Sequence, residues 1–233
     1  MKYPTNPSKL VASLLLAPLL GIALACSVAH AASKLPEVSP EGLRLMPNTK
    51  MAAVYMRDGA DFRAYDKVAI LDCQVSFRKN WKRDQNSADP FRVSDKDIAR
   101  IKTQLAEEFK KVFTESLTAK GINVVTAADT GVLILRPGII NLDIAAPDTM
   151  EAGRTRSFSA SAGQMTLFLE LYDGVTGDLI ARAVDPQEAS DYGFVRIRNS
   201  VTNRSDADRI LKRWADTLGS YLERARSGGV SAQ

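Results

Sequence analysis

Two one-sided helical patterns stand on either side of a series of short alternating segments, and neither can bury its apolar stripe unless a sheet receives it. The first opens at Ser94, with Asp97 three residues on as a variant capping box. It carries Ile98, Ile101, Leu105, Phe109, Val112, Phe113 and Leu117 at helical spacing. Lys120-Gly121 closes it with a basic last turn and a glycine stop. The second repeats the signature at Ser205 and Asp208. It sets Ile210, Leu211, Trp214, Leu218, Tyr221, Leu222 and Ala225 on one stripe before Gly228-Gly229.

Elsewhere the period falls to two. Within Tyr65–Phe77, Ala69, Leu71, Cys73, Val75 and Phe77 alternate with Asp72, Gln74 and Ser76, a strand with one buried face. Cys73 falls on the inner side, where a free thiol reads as a small core residue rather than a reactive one. Ala52–Arg57 and Ile122–Thr126 read as shorter strands. Val132–Ile144 reads as a longer one broken at Pro137-Gly138, since proline donates nothing to a ladder. Beyond the break, Ile140, Leu142 and Ile144 are expected to face one way. Gln164–Tyr172 and Leu179–Val184 pair through Asp173–Asp178, whose two glycines suit a tight connection. The order predicts an α+β two-layer sandwich, a largely antiparallel sheet of four to five strands with two helices packed on one face.

The first residues read as an export signal. Met1–Lys9 holds two lysines and no acid, and Leu10–Cys26 is free of charge. Ala29-His30-Ala31 is a small-x-small cleavage pattern, predicting a cut between Ala31 and Ala32. Ala23-Leu24-Ala25-Cys26 offers an alternative, a lipobox whose Cys26 is acylated, although the leucine and the small residue stand in exchanged order. An uncleaved span is disfavoured by Pro18 and Gly21 in a stretch already short of the ~20 residues needed. Each processed form belongs in the periplasm, soluble or lipid-anchored. Residues 1–31 are therefore expected to be signal, 32–50 leader or linker, 51–227 a single α+β domain and 228–233 a flexible tail.

Losing that leader removes chemistry. The chain has one histidine, His30, and two cysteines, so cleavage at Ala31 leaves no imidazole and only Cys73. No internal disulfide, Ser-His-Asp triad or His- or Cys-rich zinc site can then form. Neither a phosphate loop nor a GxGxxG follows a strand. No catalytic residue, cofactor or metal is expected. Lys2 and Lys9 leave with the signal, lowering the net charge from +4 to +2, and nothing argues for a nucleic-acid partner. What survives on the catalytic side is a carboxylate-dependent hydrolase acting on envelope glycans, with Asp143 and Asp148 the nearest pair, or a calcium site of Asp and Asn oxygens.

A binding role has more to draw on. Ala145–Gly163 and Asp185–Arg204 are long polar loops flanking the predicted hairpin, so both are expected at one end of the sheet. Arg154, Arg156, Arg196, Arg198 and Arg204 would share a rim suited to carboxylate or phosphate groups of an envelope protein, peptidoglycan or a lipid headgroup. The plainer reading is solvated charge, balanced by Glu151, Glu188 and Asp191. Arg78–Arg83 sets Trp81 among cations, which suits a membrane interface or a ligand. The preferred reading there is a solvated loop with Trp81 packed back on the domain.

Three segments carry a family likeness: Tyr65-Asp66-Lys67-Val68 opening a strand, Leu133-Ile134-Leu135-Arg136-Pro137 in a later one, and Tyr172-Asp173-Gly174-Val175-Thr176-Gly177 in the hairpin. With a Trp-containing last helix, the chain resembles the domain-of-unknown-function family 3313 over about Gly42–Arg226. The resemblance implies an exported bacterial protein, in many members a lipoprotein, and brings no catalytic residues. The element order is also similar to that of envelope assembly proteins such as the curli secretion lipoprotein, at fold level alone. The expected function is that of an exported, non-catalytic binding or assembly accessory.

Overall fold

A computed structural model describes residues 35–88, 92–144, 157–159, 163–188, 196–198 and 200–227. The export signal, Cys26, Ala31 and Ala32 lie outside the described residues. In chain order the elements are β1 (Arg44–Leu45), β2 (Ala53–Met56), a 3-10 turn (Phe62–Ala64), β3 (Lys67–Ile70), β4 (Gln74–Phe77), α1 (Trp81–Ala88) and α2 (Asp95–Ala119). There follow β5 (Asn123–Val125), β6 (Val132–Asp143), β7 (Ser157–Ser159), β8 (Gln164–Asp173), β9 (Leu179–Glu188), β10 (Arg196–Arg198) and α3 (Ser200–Arg226).

The expected sandwich needs correction. Among the described residues the main sheet has eight strands in the order β1-β2-β9-β8-β6-β3-β5, with β4 also paired to β6. Three helices accompany it, and β7 and β10 form a separate two-stranded ribbon. The sheet is mixed: β3 pairs parallel with both β5 and β6, and β4 pairs parallel with β6. Two physical reasons lie behind the difference. Strands of two or three residues, such as β1 and β5, are too short to show an alternation. The segment carrying α1 and α2 returns the chain as a crossover, so β5 lies parallel to β3 rather than folding back beside it.

Pro137 acts on its neighbour rather than on its own strand. The Leu71 amide donates to the Leu135 carbonyl at 2.9 Å, so the odd residues of β6 aim their backbone groups at the β3 side. The next bond in that ladder would run from residue 137 to the Leu71 carbonyl, and proline has no N–H to give. The predicted strand Tyr65–Phe77 therefore splits at Leu71–Cys73 into β3 and β4. On its other side β6 pairs with β8 without interruption through Pro137↔Leu169. A second irregularity lies at Asn141, whose φ of +53° is left-handed and coincides with a register shift between Ile140 and Asp143. Ile139, Leu142 and Ile144 consequently pack on the core, and Ile140 drops out of the row expected for it.

One face of the sheet meets the two long helices. Leu133, Leu135 and Ile139 of β6 and Leu167 and Leu169 of β8 join Phe109, Phe113 and Leu117 of α2 and Leu211, Trp214 and Leu222 of α3 in one core. The Phe109 and Phe113 rings stack at 3.9 Å. The capping box of α2 is formed: Ser94 Oγ accepts from the Asp97 amide at 3.2 Å, and the Ser94 amide donates back to Asp97 Oδ2 at 3.1 Å. Gly121, at φ +70°, ends it as the sequence predicts. Helix α3 is pinned by the buried Asp185 carboxylate. That group accepts from Trp214 Nε1 at 2.7 Å, the Ala52 amide at 2.8 Å and Gln187 Nε2 at 2.7 Å.

Candidate functional site

The opposite face carries the charge. Along β8, Leu167, Leu169 and Leu171 point to the core, so Phe168, Glu170 and Tyr172 occupy the outer face. The sheet register sets Glu170 directly between Arg136 on β6 and Arg182 on β9. Glu170 is 2% exposed. It accepts from Arg182 Nη2 at 2.7 Å and Nε at 3.1 Å, from the Tyr172 hydroxyl at 2.9 Å, and pairs with Arg136. Burial works to raise its pKa, but the hydrogen bonds from Arg182, Tyr172 and Arg136 outweigh it and hold the carboxyl below its ordinary value. The Arg182 guanidinium lies 5.2 Å over the Phe168 ring and that of Arg136 lies 5.3 Å over Tyr172. Cation, anion and cation thus alternate across three strands, with a ring before and after the anion along β8.

A second carboxylate reaches this row from the start of the described chain. A tight turn runs from Ser39 to Leu43. Ser39 N donates to Leu43 O at 2.8 Å, Gly42 N donates to Ser39 O at 2.9 Å, and Gly42 adopts φ +83°. The turn presents Glu41 to Arg182, with Nη1 to Oε2 at 2.8 Å and Nη2 to Oε1 at 2.9 Å. That double bond draws the Glu41 carboxyl down to about 2 and raises the Arg182 guanidinium. The surrounding strap, Leu35–Leu45, buries Leu43 against Ala53 and Tyr55 in a cluster separate from the main core. It is also held by a bond from the Tyr55 hydroxyl to Pro36 O at 3.1 Å and by the Arg44–Asp58 ion pair at 2.9 Å.

Of the five arginines singled out from the sequence, Arg196, Arg198 and Arg204 fall in elements apart from this row. β10 pairs antiparallel with β7, matching Arg196 to Ser159, Ile197 to Phe158 and Arg198 to Ser157. Arg154 and Arg156 lie outside the described residues. Helix α3 begins at Ser200, five residues before the expected Ser205 cap, so Arg204 stands in a helix rather than in a loop.

The remaining candidates resolve one by one. Asp143 is held by Arg78 Nε at 2.5 Å, with Asp84 on the same guanidinium at 2.7 Å, and Asp148 lies outside the described residues. Trp81 opens α1 rather than sitting in a loop. It is buried, stacks on Phe77 at 4.1 Å and donates to the Ile144 carbonyl at 3.2 Å. Burial pushes the Cys73 thiol up to about 12. Among the described residues no three Cys, His, Asp or Glu side chains gather to hold a metal, and no helix is long and apolar enough to cross a membrane.

Glu41, Arg136, Glu170 and Arg182 were not singled out from the sequence. A signal for two of them was present: charges of opposite sign at opposed positions of a hairpin whose turn fixes the register, in strands otherwise apolar on alternate residues.

Several solved structures are similar to part of this chain. The PelC dodecamer from Paraburkholderia phytofirmans is 13% identical, with 71% of this chain and 96% of that chain covered at a TM-score of 0.39. A minor lipoprotein from Acinetobacter baumannii is 12% identical, covering 70% and 95% at 0.32. A Xanthomonas campestris protein of the DUF330 family is 8% identical, covering 74% and 92% at 0.37. No curated relative matches. The profile of the family described as "Protein of unknown function (DUF3313)" spans residues 41–218, from the Glu41 strap into α3, and the chain belongs to that family.

Proposed function

We propose that this DUF3313 protein is an exported, non-catalytic component of the cell envelope, periplasmic and either soluble or lipid-anchored through Cys26, acting as a binding or assembly accessory. Its binding surface is the arginine-bearing end of the sheet, and its targets are anionic groups of an envelope protein, peptidoglycan or a lipid headgroup. The observation that carries this reading is the β7–β10 pairing. β8 and β9 are matched at Gln164↔Glu188, so the segments before and after them leave at one end, and those segments then pair with each other. The pairing joins Ser157–Ser159 to Arg196–Arg198, which supports a shared surface for the two arginine-bearing segments, with Arg154 and Arg156 outside the described residues. Guanidinium groups suit such targets because their forked N–H groups match carboxylate and phosphate oxygens.

Sedimentation of the mature protein with peptidoglycan sacculi and, separately, with anionic lipid vesicles tests it. Binding to at least one is expected, weakened about tenfold in R154A/R156A and in R196A/R198A, and reduced by salt as charge-driven contacts are. Undiminished binding in both double variants contradicts the rim. Intact mass from envelope fractions should show either an Ala32 start or an acylated Cys26, and an unprocessed chain confined to the cytosol contradicts export.

A further inference from the structure

Glu41 meets Arg182 in the manner by which an arginine receives a carboxylate or phosphate from another molecule, through two parallel N–H···O bonds at 2.8 and 2.9 Å. The partner here comes from the chain's own turn, and its side chain is 42% exposed. Arg182 does not depend on Glu41 for its position. Glu170 holds it from one side at 2.7 Å, and the Phe168 ring lies beneath it. Arg136, on the far side of Glu170 and stacked on Tyr172, has a side chain 56% exposed, leaving guanidinium donors open to solvent. Two cations thus flank a single buried anion, and the row requires one more negative charge for balance. Glu41 supplies it now.

We propose that Arg182 and Arg136, fixed by Glu170, Phe168 and Tyr172, form a binding site for the carboxylate or phosphate group of an external ligand. Glu41 is its internal occupant, displaced as the strap Leu35–Leu45 lifts. The strap is suited to lifting because its apolar contacts form a cluster apart from the helix-covered core. Glu41 occupies both outer N–H groups of Arg182 and, being tethered, rebinds as an intramolecular competitor, so the site is masked in the resting protein. This site is separate from the arginine ribbon and stands or falls independently of it.

The test compares wild type with E41A, using inorganic phosphate and acetate as probes, each against chloride at equal ionic strength, by calorimetry and by the thermal midpoint. E41A is expected to bind one of them at least about tenfold more tightly than wild type, the gain that removing a tethered competitor brings. E41A/R182K, which keeps the charge and loses the fork, is expected to return to the wild-type level. Stronger binding of phosphate identifies a phosphate-bearing ligand, and stronger binding of acetate a carboxylate. Equal behaviour of E41A and wild type with both probes overturns the proposal, as does a gain that survives R182K. Wild type supplies a check that requires no variant. The favoured probe must speed hydrogen exchange at the Leu43 and Leu45 amides while leaving Leu133 and Leu135 unchanged, and an unresponsive strap overturns the proposal equally.

Discussion

The two faces of the sheet are held by different physics. On the helix side, a continuous apolar core joins β6 and β8 to α2 and α3, and the buried Asp185 carboxylate has a hydrogen-bond donor on each of three segments. On the outer side, the apolar contacts shrink to a small cluster around Leu43, Ala53 and Tyr55, and the work passes to an ion-paired row. Burial of apolar surface is non-directional and contributes broadly to stability. An ion-paired row contributes little net stability but fixes where charges stand. The helix side therefore sets whether the chain folds, and the outer side sets what it presents.

The largest test of that contrast is a pair of truncations. Phe113→Ala in the helix-covered core is expected to cost about 4 kcal/mol in denaturant unfolding, the usual range for a buried aromatic whose cavity cannot collapse. Leu43→Ala removes a side chain that is also buried, 2% exposed. A strap that opens on its own limits the global loss to its docking energy, so the expected cost is under about 2 kcal/mol, below most buried leucine truncations. Equal losses at the two sites break the contrast.

Next in size is Glu170→Ala. Removing the carboxylate leaves Arg136 and Arg182 facing each other across β8, one of them largely withdrawn from water. About 2–3 kcal/mol is expected, under the 3–5 kcal/mol of a fully buried broken pair because Arg136 reaches solvent. A neutral outcome in denaturant unfolding would mean that the row is not the organising feature of its face.

The sequence reveals these two faces unequally. Helix α2 is legible from Ser94, Asp97 and Gly121 because capping and stop signals are local. The β8–β9 hairpin is legible because Asp173–Asp178 forces its ends together. Phe109, Phe113, Leu211 and Trp214 lie on the stripes their spacing predicts. The mixed sheet is not legible, since the partner of β5 is chosen by the path of the crossover, and a three-residue strand records nothing of it. The break at Leu71–Cys73 is caused by Pro137, a residue on another strand, and so leaves no mark where it occurs. Glu41 is hidden for a similar reason. Its partner Arg182 is remote in sequence, and only the turn at Gly42 delivers it.

The smallest expected effect concerns acid. Glu41 has a folded value of about 2 against an ordinary 4.5. Its contribution is therefore complete above about pH 4.5 and is lost as pH falls from there toward 2. The strap is expected to loosen over that interval ahead of the helix-covered core, seen as faster exchange at strap amides after correction for intrinsic rates.

Native-state hydrogen exchange at neutral pH tests the central contrast most directly. The amides of Leu43 and Leu45, bonded to Ser39 Oγ and Glu37 O, are expected to exchange through a local opening at a free energy well below that of global unfolding. Those of Leu133, Leu135, Leu167 and Leu169 in the central strands are expected to exchange only with the whole fold. A single opening free energy shared by strap and central strands would contradict the account.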